Sequence, residues 1–124
     1  MEASLPKPPD IMGEAALELL KGTLDILILR TLRHGPNHGY GIARWLRESS
    51  SEAFQVEEGA LYPALRRMEK RGVLVADWDV TDTGREAKFY RLTPEGEKAL
   101  EAAQANWDRY VGAMAQVLGP VGDR

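Results

Sequence analysis

Cationic side chains recur in one short segment of the sequence, residues 59–71, at a spacing that suits contact with a polyanion. With Leu61 taken as the direction of a core, a rotation of about 100° per residue places Leu65 and Met68 within about 40° of it. The opposite side of such a helix carries Gly59, Pro63, Arg66 and Lys70. Tyr62 and Arg67 lie at the edges of that side. Phosphate and base-edge contacts use such groups. A solvated helix face is the alternative, because cations are favoured near a helix C-terminus anyway.

A second group of cations follows a glycine turn downstream. Arg85 comes directly after Gly84, and Lys88 and Arg91 lie on a predicted strand, within reach of phosphates or of a minor groove. Nearby acidic residues reduce the net positive charge of both groups: Glu57, Glu58, Asp79, Asp82 and Glu86. The two groups therefore predict a local basic surface rather than a generally basic protein.

Other chemistries find little support in the sequence. His34 and His38 are four residues apart, but a glycine and a proline between them break the helical geometry that a metal site would need, and the chain has no Cys. The sequence contains neither a nucleophile elbow nor a phosphate-binding glycine loop. We expect a protein without metal, cofactor or catalytic residues.

Length and composition limit the remaining classes. The chain has 124 residues, with 16 Lys and Arg against 19 Asp and Glu, which gives a net charge of −3. This length supports one hydrophobic core. The lack of Cys excludes disulfide scaffolds, and no apolar run is long enough to span a membrane. We expect a cytoplasmic protein without a signal peptide.

Apolar periodicity predicts three helices in the first half of the chain. Residues 1–13 carry three prolines and no apolar period, which indicates a disordered tail. A first helix is predicted over residues 14–33, or over a shorter span capped by Thr23. A second is predicted over residues 39–48 and a third over residues 59–71, with Gly72 at its C-terminal cap.

The second half changes to a period of two and then returns to a helix. Residues 73–80 and 87–92 both alternate, and T-D-T-G-R-E between them has turn composition, so a hairpin is predicted. Thr93 and Pro94 form a helix start, and an apolar stripe follows as far as Leu118.

This order of elements predicts a winged helix-turn-helix, a mainly α fold with a β-hairpin wing, in which the third helix enters the major groove of DNA. The winged DNA-binding domain is expected over residues 14–93 and a C-terminal dimerisation helix over residues 94–118, with a short tail at 119–124. A monomer would leave the stripe of the long helix exposed, which favours dimerisation.

Several strings of the sequence resemble PadR-type transcriptional regulators. Between Leu20 and Leu118 they occur in this order: K-G-T-L-D-I-L-I-L-R-T-L, H-G-Y-G-I-A, G-A-L-Y-P-A-L-R-R-M-E-K-R-G and K-F-Y-R-L-T-P-E-G. The pieces Q-V-E-E-G-A-L-Y-P-A-L and A-N-W-D-R most resemble the acidobacterial-type subgroup. The resemblance implies a homodimeric repressor of nearby genes that binds a dyad operator on double-stranded DNA.

The resemblance also implies roles for individual residues. Tyr62 and the turn around it would lie at the DNA, and the wing would contact it through two cations. Many members carry Ser or Thr where this chain has Ala60, so a hydroxyl contact to phosphate is lost here. The residues expected at the DNA are Gly59, Ala60, Tyr62, Pro63, Arg66, Arg67, Lys70, Arg85 and Lys88.

Aromatic residues on the long helix allow two interpretations. Trp107 and Tyr110 lie on the apolar stripe with Val111 and Met114, and between two subunits they could form a flat slot for a small hydrophobic or phenolic effector. In one branch of the family a Trp at a similar place lines such a site. Packing as dimer core is the alternative, and it is the usual role of aromatic stripes at helical spacing.

A winged-helix module that binds another protein and no DNA is the competing function. Such a module needs no basic face, and it tolerates the acidic pI of about 5.4. The cations gathered on one predicted surface favour DNA. Salt separates the two functions, because phosphate contacts weaken steeply as salt rises.

Overall fold

The computed structural model describes residues 23–122, a range with four helices and three strands. The helices are α1 (Leu24–Leu32), α2 (Gly39–Ser49), α3 (Glu58–Lys70) and α4 (Pro94–Leu118), and the strands are β1 (Asn37–His38), β2 (Leu74–Val80) and β3 (Glu86–Leu92). The predicted tail and residues 14–22 of the predicted first helix lie outside the described residues. Thr23 occupies the N-cap position of α1, where the shorter alternative places it. The mainly helical fold with a hairpin is confirmed.

The three strands form one small antiparallel sheet with β3 in the middle. Leu74 pairs with Leu92 and Val80 with Glu86, so β2 and β3 form the predicted hairpin, which we call the wing. At its tip the Arg85 carbonyl accepts from the Thr81 N–H at 2.7 Å. Gly84 there has φ +84°, a conformation that glycine adopts without strain.

Strand β1 was not predicted, because a pair of residues is too short to show a period. Asn37 pairs with Tyr90 and His38 with Phe89, so β1 attaches the wing to the helical part of the chain. The His38 ring also contacts the Phe89 ring edge-on, with their centroids 5.0 Å apart.

Buried side chains from the first three helices and the wing form most of the core, and Leu100 of α4 joins them. The large side chains buried most completely are Ile28, Ile42, Leu61, Leu65, Met68 and Leu74. The three on α3 are those predicted to face inward, and each fully buried aliphatic side chain contributes roughly 1.5–3 kcal/mol. Because these side chains face the core, the opposite side of α3 faces solvent.

Helix α4 begins against the backbone that joins α3 to β2. The Thr93 hydroxyl accepts from the Gly96 N–H at 3.0 Å and donates to the Gly72 carbonyl at 2.6 Å, which confirms the predicted cap. A Cβ on Gly96 would lie 2.1 Å from the Val73 carbonyl oxygen. Leu100 is buried, whereas most side chains from residue 101 onward are exposed. In the described part of the chain, none of the helices combines the length and apolar character needed to cross a membrane.

Candidate nucleic-acid interface

The outer face of α3 is open to solvent. Gly59, Pro63, Arg66 and Lys70 are all exposed, as the helical projection predicts. Pro63 lies within the helix, where its lack of an N–H leaves the Gly59 carbonyl without the usual helical donor. This face therefore offers two cations to an approaching partner.

One edge of α3 is bound to α1 through a shared carboxylate. Arg67 donates to Asp25 Oδ1 at 2.8 Å, and Arg71, one helical turn later, donates to Asp25 Oδ2 at 3.2 Å. These side chains are partly exposed, so the pairs add little to stability. The main effect of these two ion pairs is to lower the net positive charge of this edge, which includes Arg67, a residue predicted to bind DNA.

The other edge of α3 is bound to the wing. Lys88 Nζ lies 3.1 Å from Glu69 Oε1 and 5.6 Å from the centroid of the Tyr90 ring. Tyr90 is buried, and this burial raises the pKa of its phenol. Lys88 is thus already paired when the protein is free.

Three of the predicted DNA-binding cations have no ion-pair partner in the described part of the chain. Arg66, Lys70 and Arg85 make no ion pair with another residue in the range 23–122. Arg66 and Lys70 are one turn apart on the outer face of α3, and Arg85 lies at the wing tip. Arg91, on the opposite face of the wing from Lys88, lies 3.9 Å from the carboxylate of Asp77.

Tyr62 and Ala60 are less exposed than the rest of the predicted interface. Both side chains are half-buried and pack against the core. A Cβ on Gly39 would lie within 2.7–2.8 Å of the Tyr62 phenol, so this ring packs closely on the start of α2. The structure therefore places Tyr62 where α2 and α3 meet, beside the outer face rather than at its centre.

Each of the two histidines has a local structural role. His38 Nδ1 accepts from the Gly41 N–H at 3.0 Å and so caps α2. His34 lies 3.3 Å from an Arg30 nitrogen, and its ring centroid is 5.2 Å from that of Trp45. Within residues 23–122 no group of three or more His, Cys, Asp or Glu side chains could hold a metal ion.

Sequence reasoning missed Asp25 and Glu69 as members of this site. Asp25 is the one charged residue in the apolar run L-D-I-L-I-L, a signal that it has a specific partner. Glu69 has no such signal, because it lies among cations where any acidic residue is expected. Both residues decide which cations on α3 and the wing are available.

The exposed half of α4 presents a second surface. The inner face of this helix, which buries Gly96 and Leu100, continues into Trp107, Val111 and Met114, all of them exposed. The ring centroids of Trp107 and Tyr110 are 6.0 Å apart. Within the described part of one chain, this apolar surface is exposed.

Known proteins resemble this chain along most of its length. Residues 28–102 match the model of the transcriptional regulator PadR-like family. A PadR family transcriptional regulator of Eggerthella lenta is similar in structure with a TM-score of 0.72 and 34% identity, over 88% of this chain and 93% of that one. A PadR family transcription regulator of Clostridium difficile has a TM-score of 0.70 and 36% identity, over 79% of this chain and 100% of that one.

A curated relative has a name that also states a direction of regulation. The negative transcriptional regulator PadR of Bacillus subtilis is 29% identical over 77 residues, which are 62% of this chain and 42% of that protein. The chain thus spans less than half the length of this relative.

Proposed function

Because this chain belongs to the PadR-like family of transcriptional regulators, we propose that it is a sequence-specific DNA-binding repressor that acts as a homodimer on a dyad operator. The outer face of α3 would lie in the major groove, and the wing would contact the flanking backbone. The observation that carries this proposal is the division of the cations. Those at the edges of α3 are paired within the protein, whereas Arg66, Lys70 and Arg85 are exposed and have no ion-pair partner among residues 23–122.

Binding to DNA is tested with fluorescently labelled duplexes in a salt series. A duplex selected from a random library is compared with a random-sequence duplex by fluorescence anisotropy between about 50 and 200 mM salt. We expect tighter binding to the selected duplex and a linear fall of log K with log salt, with a slope of about −0.9 per phosphate contacted. A protein-interaction module would bind neither duplex in this way.

Arg66→Ala is expected to weaken binding to the selected duplex. If Arg66 contacts a base edge, the loss is about 1–3 kcal/mol, roughly 5- to 150-fold, and is much smaller on the random duplex. Arg109→Ala, which removes the same charge from α4, is the matched control and should leave both affinities nearly unchanged. Equal binding by Arg66→Ala and the parent protein would mean that Arg66 contacts no base.

Substitutions of Lys88 and Glu69 should change DNA affinity in opposite directions, and each should do so equally for any DNA sequence. Lys88→Ala should lower the affinity for both duplexes alike and reduce the salt slope by about one unit per half-site. Glu69→Gln should raise both affinities, because it removes a repelling carboxylate and frees Lys88 for phosphate. In the Glu69→Gln background the loss caused by Lys88→Ala should therefore grow. If both variants leave the slope unchanged, the pair only holds the wing against α3.

Several finer assignments belong to the same proposal. The stripe on α4 would form the homodimer interface, and the name of the Bacillus subtilis relative supports repression. Trp107 and Tyr110 would pack as dimer core, with a slot for a small hydrophobic or phenolic effector as the second candidate, supported by their proximity. The motif strings quoted above support the acidobacterial-type subgroup. A DNA-binding regulator works with the chromosome in the cytoplasm, and the names of the relatives support a non-catalytic role.

A further inference from the structure

Two large apolar side chains of the wing face solvent. Trp78 is 69% exposed and Val80 is 56% exposed, both in the half of β2 that leads to the tip. Earlier on the same face of β2, Leu74 is buried in the core. The apolar alternation thus continues past the end of the core, where the described residues supply nothing to cover it.

The strand pairing shows toward which part of the molecule the Trp78 face of the wing points. Trp78 pairs with Lys88 and Val80 with Glu86, and directly opposed residues in an antiparallel pair point to the same side. Lys88 reaches Glu69 on α3, so Trp78 and Val80 lie on the side of the wing that faces α3. This side is continuous with the edge of the proposed DNA surface.

Charge is distributed unequally between the two faces of the wing. Asp77 and Asp79 alternate with Trp78 and therefore point to the other side. The face with Trp78 carries Glu86 and Lys88, which is paired with Glu69 of α3, whereas the opposite face carries Asp77, Asp79 and Arg91. Among the wing's own residues the Trp78 face therefore has no net charge and the opposite face has one net negative charge, and Arg85 follows at the tip.

We infer that Trp78 and Val80 form an apolar contact with the deoxyribose edges of the DNA minor groove next to the site of α3. The inference rests on the proposed DNA-binding function. A two-stranded ribbon with large apolar side chains suits this role, because the deoxyribose edges lining the minor groove are largely apolar and minor-groove proteins insert large apolar side chains there. The contact buries apolar surface and neutralises no phosphate, so it adds affinity without adding to the salt slope.

The test uses a selected duplex of about 30 base pairs and the full chain. Trp78→Ala should weaken binding roughly fivefold or more while leaving the salt slope unchanged. Bound duplex should also protect tryptophan from quenching by acrylamide. Trp78→Phe should lose this protection, and Trp45→Phe, which alters a half-buried tryptophan of α2 outside the proposed DNA and dimer surfaces, should keep it.

The outcomes separate this inference from the proposed function. If the parent protein leaves the anisotropy of the duplex unchanged, DNA binding itself is overturned. If the duplex binds but Trp78→Phe is protected as fully as the parent protein, DNA binding stands and the Trp78 contact is overturned. A Trp78→Ala protein with unchanged DNA affinity and a lower mass by light scattering would assign this face to a second copy of the chain, which also overturns the inference. Circular dichroism of each variant confirms that it is folded.

Discussion

We expect Gly96→Ala to lower the free energy of unfolding by about 3 kcal/mol or more, which for a domain of this size is roughly a 10 °C fall in Tm or greater. The new Cβ would lie 2.1 Å from the Val73 carbonyl oxygen, and backbone at that position cannot move aside as a flexible side chain can. The same carbonyl accepts from the Thr93 N–H at 3.2 Å, so relief of the clash would disturb the start of α4 as well.

Gly112→Ala is the matched control, because it makes the same substitution in the same helix. A Cβ on Gly112 meets no atom within 4 Å. Alanine should therefore raise stability by ~0.5–1 kcal/mol through its better helix propensity. Thermal melts followed by circular dichroism compare both variants with the parent protein. A Gly96→Ala melt at the parent temperature would contradict the close contact between α4 and Val73.

Trp107→Asp is expected to dissociate the proposed dimer. The parent chain of 13.8 kDa should give about twice that mass in light scattering at micromolar concentration. Trp107 is 42% exposed in one chain and lies on the same face as the buried Leu100, so a partner would cover it. A carboxylate there would lose its hydration in the dimer and weaken association roughly 100-fold or more.

The control for this prediction is Gln116→Asp. Gln116 lies about 180° around α4 from Trp107, so the same charge enters on the face turned away from the stripe. This variant should keep the parent mass. A parent protein that remains monomeric at these concentrations would contradict the homodimer, and equal dissociation by both variants would place the interface elsewhere.

The sequence predicts those parts of the fold whose causes are local. Thr93 and Pro94 begin α4 and Gly72 follows the end of α3 because cap geometry depends on neighbouring residues. Strand β1 escapes prediction because its two residues take their conformation from β3. The period of the wing likewise predicts on which side of β2 Trp78 lies, but not that the core ends before reaching it.

The candidate site is predicted less completely, for a related reason. Composition and helical projection place Arg66, Arg67 and Lys70 on the solvent side of α3. The partner of Arg67 is 42 residues away in the chain, and that of Lys88 is 19 residues away. Only the folded chain brings these groups together, so the sequence predicts where the cations lie but not which of them are unpaired.

The Asp25 carboxylate has a consequence for re-engineering operator preference. Grafting the α3 sequence of one family member onto another is a natural way to exchange specificities. In this chain, however, Arg67 of α3 and Arg71 at its C-cap share one carboxylate of α1, which offsets one of their two positive charges. A graft that moves residues 58–71 alone would add one uncompensated positive charge wherever the recipient lacks an acidic residue at the position of Asp25, and the hybrid would gain affinity for any DNA while losing discrimination. The transferable specificity unit is therefore α3 together with position 25.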